Sequence, residues 1–181
     1  MAMRGQAHET VIKTIAGAAF LMAFAPSPSH AAAPQQLHNK TIVITWGESG
    51  TYKRISDGQN TNPVGQFQAT VYVSSAGRPF LRVTSTAGRF GNKREAGPET
   101  SSGGIQFNGN TLTMIRQNIG IARRLLTTFD GSFASCSTTV TIGKVDSNAT
   151  MIGFDGAEYH ILSMQPGAAS CSIREGNALA N

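Results

Sequence analysis

Two pairs of side chains have types and spacing that suggest chemistry: Cys136 with Cys171, the only cysteines, and Glu95 with Glu99. Two carboxylates do acid and base work when a scaffold holds them on either side of a bond. Glu95 and Glu99, however, sit in a glycine-rich stretch where carboxylates ordinarily face solvent. His38 and His160 are the titrating side chains near neutrality outside the first 31 residues. His160 lies between Tyr159 and Ile161 as a strand residue would, and His38 lies near the start of the mature chain. No G-x-S-x-G elbow, H-E-x-x-H pair, phosphate loop or calcium-loop pattern occurs. The chain therefore reads as not an enzyme, with a hydrolase as the weakest alternative, and no catalytic residue is assigned. There is no C-x-x-C, and neither histidine stands at ligand spacing from a cysteine, so the sequence implies no metal and no cofactor.

A third constellation is cationic. Arg78, Arg82, Arg89, Lys93 and Arg94 are the densest positive group, in or beside the stretch 87–104, AGRFGNKREAGPETSSGG. Irregular loops longer than about 12–15 residues are usually functional or disordered. These five residues are therefore the candidate contacts for an anionic or amphipathic small molecule or an envelope surface. Without interleaved aromatics or a helix to carry them they do not make a nucleic-acid footprint, and none is expected.

The scaffold that must position these groups begins after an address. Arg4 and Lys13 precede the apolar run IAGAAFLMAFA at 15–25, and PSPSHA at 26–31 is a small-residue approach to cleavage. Residues 1–31 read as a signal peptide cut after Ala31, and 32–181 as one β domain, periplasmic or secreted. The apolar run is shorter than the roughly 18 residues a spanning helix needs, and no later run is longer, so no transmembrane segment is expected. The leader takes Arg4, Lys13 and Glu9 with it, and the chain's +5 becomes +4, a mildly basic surface. In an oxidising compartment Cys136 and Cys171 are expected to pair.

The stretch 105–142 organises the rest. Asn108-Gly109 separates Ile105 and Phe107 from Leu112 and Met114, and Asp130-Gly131 separates Leu125 and Phe129 from Val140 and Ile142. Both dipeptides are hairpin signals. Residues 121–129 fit a helix or a strand; the Thr-Thr pair and the Asp-Gly turn favour the strand, which puts Arg123 and Arg124 on opposite faces and sends one of them inward to a carboxylate or polar cavity. Upstream, 41–46 and 51–55 are expected to form a hairpin about Gly47-Glu48-Ser49-Gly50, with Ile42, Ile44 and Trp46 on the core face. A second hairpin joins 67–75 to 80–85, and a third joins 150–154 to 157–163 about Asp155-Gly156. Pro166-Gly167 is expected to turn the chain into a last strand at 169–174, and the tail EGNALAN to fray.

The segments ARRLLTTFDGSFASC and CSIREGN resemble a loose set of small exported bacterial proteins of unknown function. The resemblance covers mainly the second half, implies a β fold with paired cysteines, and carries no activity. Nine to eleven short strands with close turns predict an all-β fold with one disulfide, an antiparallel up-and-down barrel or a β-sandwich. Such a domain suits a non-catalytic binding module; the alternative is an envelope or secreted structural or interaction protein with a filled core.

Overall fold

The computed structural model describes residues 32–85, 88–89, 94–97, 103–118, 120–146, 148–153 and 155–180. The expected leader, Lys93 and Glu99 lie outside them. After a 3-10 turn at Gln35–Leu37 come β1 (Lys40–Arg54), β2 (Asn60–Thr61), β3 (Val64–Val73), β4 (Pro79–Ser85), β5 (Gly88–Arg89) and β6 (Arg94–Glu95). They are followed by β7 (Gly103–Asn108), β8 (Thr111–Asn118), β9 (Ile121–Phe129), β10 (Cys136–Lys144), β11 (Thr150–Ile152) and β12 (Glu158–Glu175). The fold is all-β. One antiparallel sheet runs β11-β12-β1-β3-β4-β5, with β2 beside β1 and β6 beside β4, and the other runs β10-β9-β8-β7.

Two expected turns do not form, for one reason. β1 is continuous through Gly47-Glu48-Ser49-Gly50, and β12 is continuous through Pro166-Gly167. The two strands lie against each other, and their glycines permit close approach rather than reversal: a Cβ on Gly167 would sit 3.2 Å from Gly47 Cα, and one on Gly50 would strike the Met164 side chain and come within 2.7 Å of the Ser163 carbonyl. Trp46 pairs with Ala169 and Glu48 with Pro166, so two residues of β12 oppose the single Gly47 in a β-bulge. Pro166 is tolerated because that stretch of β12 has no described ladder partner on its other edge.

The other hairpins form as their turn residues require. Phe107 pairs with Leu112, Val71 with Leu81, and Met151 with Tyr159, with Gly109, Gly77 and Gly156 at positive φ in the connections. β9 is a strand, pairing Leu125 with Val140. Its turn is longer than a two-residue hairpin. The Asp130 carboxylate accepts hydrogen bonds from the backbone N–H groups of Ser132, Ala134 and Ser135 and from both serine hydroxyls, and buried Phe133 packs on Phe129 at 5.5 Å. The stretch 87–104 is not uniformly irregular, since it supplies β5, β6 and the start of β7.

Both sheets share one core, drawn from Ile42, Ile44 and Trp46 of β1, Val71 and Val73 of β3, Leu112 and Met114 of β8, and Leu125 and Phe129 of β9. Residues 94–97 touch both sheets: Ala96 N–H donates to the Pro79 carbonyl, and Ile105 N–H donates to the Gly97 carbonyl. On the opposite side the Cys136–Cys171 disulfide joins β10 to β12 with Cα atoms 5.6 Å apart, and Lys144 Nζ donates to the Ile161 carbonyl at 3.2 Å. Leu37, ahead of β1, and Phe133, in the β9–β10 turn, are buried in the same core. The first described residues are held there, with Ala33 N–H bonded to the Gly77 carbonyl.

The tail does not fray. Thr41 Oγ1 donates to the Gly176 carbonyl at 2.6 Å and accepts from Ala178 N–H at 3.1 Å, and Leu179 is buried. This return of the chain covers polar Thr41, a fully buried residue on the face of β1 away from the core.

Candidate functional site

The end opposite Leu37 holds a cleft of about 510 Å³, formed where β1, β3 and β4 face the ends of β8 and β9 and the β11–β12 hairpin. Alternation along β1 puts Trp46, Glu48 and Tyr52 on the same inward phase as Ile42 and Ile44, and all three line the cleft. Alternation along β9 puts Ile121 and Arg123 on the inward phase with Leu125, while Arg124 is exposed. The carboxylate that an inward arginine needs is Glu48. Arg123 Nε donates to Glu48 Oε1 at 2.5 Å and Nη2 to Oε2 at 2.7 Å, with side chains 10% and 4% exposed. Trp46 Nε1 donates to the same Oε1 at 2.7 Å, so one carboxylate satisfies three inward donors.

Aromatic groups hold this pair. Phe67 stacks on Trp46 with ring centroids 5.4 Å apart, and the Arg123 guanidinium lies 5.7 Å from the Phe67 centroid, a cation–π geometry. A Cβ at Gly65 would come within 2.8 Å of the Phe67 ring, so glycine there lets the ring lie flat. Burial pushes the Tyr52 hydroxyl up from its ordinary range, opposed by the charge of Arg123 and assisted by that of Glu48. Tyr52 Oη donates to Met164 Sδ. Arg116 stands directly across the β8–β9 ladder from Arg123 and also lines the cleft.

The rim is built differently. Val64 and Ile152 line it and are 72% and 69% exposed. Asp155 is also at the rim, where it accepts from Tyr159 Oη at 2.6 Å and lies 3.7 Å from Arg54 Nη2. The Tyr159 hydrogen bond, the Ala157 N–H and the Arg54 charge hold the Asp155 carboxyl below its usual range. Arg54 also pairs with Asp57 at 3.0 Å.

Of the five cationic residues singled out from sequence, Lys93 lies outside the described residues. Arg78, at the β3–β4 turn, pairs with Glu95 at 3.3 Å. Arg82 reaches the Ala178 carbonyl of the tail at 3.4 Å. The backbones of Arg89 and Arg94 pair with Thr84 and Leu81 on β4. Neither Arg78 nor Arg82 lines the cleft. His160 is exposed on β12, and His38 bonds to the Ala33 carbonyl. Glu48 escapes a sequence reading because it stands in a Gly-x-x-Gly segment that looks like a turn. Arg123 is one of the two adjacent arginines that strand alternation sends to opposite faces, of which one is expected to approach the interior.

Among the described residues no three His, Cys, Asp or Glu side chains are placed to hold a metal ion, and no helix is long and apolar enough to cross a membrane. No family model, curated protein or solved structure matches the chain.

Proposed function

We propose that this chain is an exported, non-catalytic binding module that holds a small amphipathic or anionic molecule in the cleft. The observation that carries the reading is a cleft of ligand size, about 510 Å³, whose aromatic and aliphatic walls surround a buried Glu48–Arg123 pair; small-molecule sites run to roughly 300–1,000 Å³ with apolar walls and few fixed polar groups. The β strands supply a rigid frame for it. In this reading the two sheets form a flattened barrel, bridged on one side by residues 94–97 and on the other by the Cys136–Cys171 disulfide beside the Lys144–Ile161 contact. Binding at the mouth of such a frame is common. Export through the leader at 1–31 delivers the chain to the periplasm or beyond, where the disulfide forms. The hydrogen bond from Ala33 N–H to the Gly77 carbonyl favours a cut that leaves Ala33 in the mature protein.

The test is calorimetric titration of the oxidised mature protein with 1-anilinonaphthalene-8-sulfonate, an anionic aromatic amphiphile. One saturable site is expected, lost when Met151→Trp fills the cleft. A second variant, Arg78→Glu with Arg82→Glu, retains it. Absence of saturable binding, or binding indifferent to Met151→Trp, overturns the reading in favour of a surface interaction protein with a filled core. Loss of binding only in the arginine variant moves the site to the basic side of β4.

A further inference from the structure

The charges on the cleft lining are neutralised within the protein, and this narrows the class of ligand. Among the described residues its charged side chains are Glu48, Arg116, Arg123 and Asp155, two of each sign. Both Glu48 oxygens are taken, Oε1 by Arg123 Nε and Trp46 Nε1 and Oε2 by Arg123 Nη2. Asp155, at the rim, accepts from Tyr159 Oη and Ala157 N–H and lies 3.7 Å from Arg54 Nη2. Arg116 is partnered within the protein as well. The Tyr52 hydroxyl is spent on Met164 Sδ. Among the described residues no buried side-chain nitrogen or oxygen lacks a hydrogen-bond partner.

A charged group on a ligand therefore finds no vacancy at the floor, where Glu48 and Arg123 are 4% and 10% exposed. To bind there it must break their pair and leave one of them buried without its partner, or be buried unpaired itself, and both are disfavoured. Left at the mouth it stays hydrated and contributes little. An uncharged ligand meets no such opposition. The apolar lining, with Pro63, Val64, Phe67, Met151 and Ile152, favours burial whatever the charge. Ser49, Thr61 and Gln117 on the same lining are neutral hydrogen-bonding groups.

Resting on the cleft reading above, and choosing the amphipathic over the anionic class, we propose that the ligand is an uncharged, mainly apolar molecule whose polar atoms are neutral hydrogen-bonding groups. The experiment compares 1-anilinonaphthalene-8-sulfonate with N-phenyl-1-naphthylamine, the same ring system without the sulfonate, by fluorescence titration of the oxidised mature protein into each probe. The uncharged probe is expected to bind several-fold more tightly, both are lost in Met151→Trp, and affinity for the sulfonate changes little between low and physiological salt. Bound N-phenyl-1-naphthylamine is then displaced with 1-naphthalenemethanol, 1-naphthoate and 1-naphthylmethylammonium, and the alcohol is expected to act at the lowest concentration. Glu48→Gln, which leaves Arg123 without its carboxylate, shifts the ratio of the two probe affinities several-fold toward the sulfonate. That ratio, measured in one protein, does not depend on the fraction folded. Asp155→Asn, with a side chain 49% exposed, shifts it the same way by less. Tighter binding of the sulfonate than of its uncharged parent, or displacement led by either naphthalene ion, overturns the neutral assignment and leaves the cleft reading intact. A ratio unmoved by both substitutions overturns the role given to the internal pairing. Failure of both probes removes the cleft reading itself.

Discussion

Glu48→Gln is the sharpest single perturbation of this structure. The substitution preserves shape and leaves an acceptor for Trp46 Nε1, yet it removes the charge that compensates Arg123, whose side chain is 10% exposed. A guanidinium does not escape by losing its proton. Breaking one partner from a buried ion pair costs about 3–5 kcal/mol, because the other charge is left uncompensated. For a protein of this size, roughly 2–4 °C per kcal/mol turns this into a fall in Tm on the order of 6–20 °C. Urea unfolding followed by Trp46 fluorescence and by far-UV circular dichroism measures it, with both probes required to coincide. The double variant Glu48→Leu with Arg123→Met separates charge from packing. It removes both charges and is expected within about 1–3 kcal/mol of the parent, the residual being the orphaned Trp46 N–H. A Glu48→Gln protein within about 0.5 kcal/mol of the parent would refute the reasoning. It would mean that water reaches Arg123 freely.

Three further outcomes are expected. Cys136→Ala with Cys171→Ala lowers stability by about 2–5 kcal/mol, since the bond closes a sequence separation of 35 and constrains the unfolded chain; parity of the oxidised parent and the variant in urea would count against it. The Asp130 carboxyl is held down to about 2, first by the Ala134 N–H and next by the Ser135 hydroxyl. Its contribution is complete above the unfolded value of about 4 and is lost as pH falls toward 2. Urea midpoints of Asp130→Asn should therefore fall less than those of the parent over that interval, and parallel profiles would contradict the assignment. Leu179→Ala costs about 2–5 kcal/mol because Leu179 is 4% exposed; a loss below about 0.5 kcal/mol would show the tail to be loosely held.

Strand identity and pairing at the short turns were legible because the information is local. Period-two alternation put Ile42, Ile44 and Trp46 on one face, Asn108-Gly109 and Asp155-Gly156 reversed the chain, and two cysteines left one pairing. Alternation also put Arg123 and Arg124 on opposite faces, so that the one approaching the interior needs a carboxylate or a polar cavity. Which carboxylate was not local information. Glu48 and Arg123 are 75 residues apart and meet only because β1 and β9, in different sheets, face each other across the core.

The misreadings have the same origin. Gly47, Gly50 and Gly167 resemble turn residues when only neighbours along the chain are considered, since a glycine that lets the backbone reverse and one that lets another strand approach look identical in sequence. The β1–β12 pairing joins the two termini of the domain, so the use of these glycines was decided by a contact that no local window contains. The tail, short and terminal, likewise reads as frayed when taken by itself. Its anchor, Thr41, lies at the other end of the domain. The alternating residues, turn dipeptides and cysteines of the chain therefore determined an all-β fold with one disulfide, through preferences of the backbone within a few residues. The cleft and its buried ion pair were decided by tertiary structure, because a charge can be buried only where packing between distant strands brings its partner within hydrogen-bonding distance.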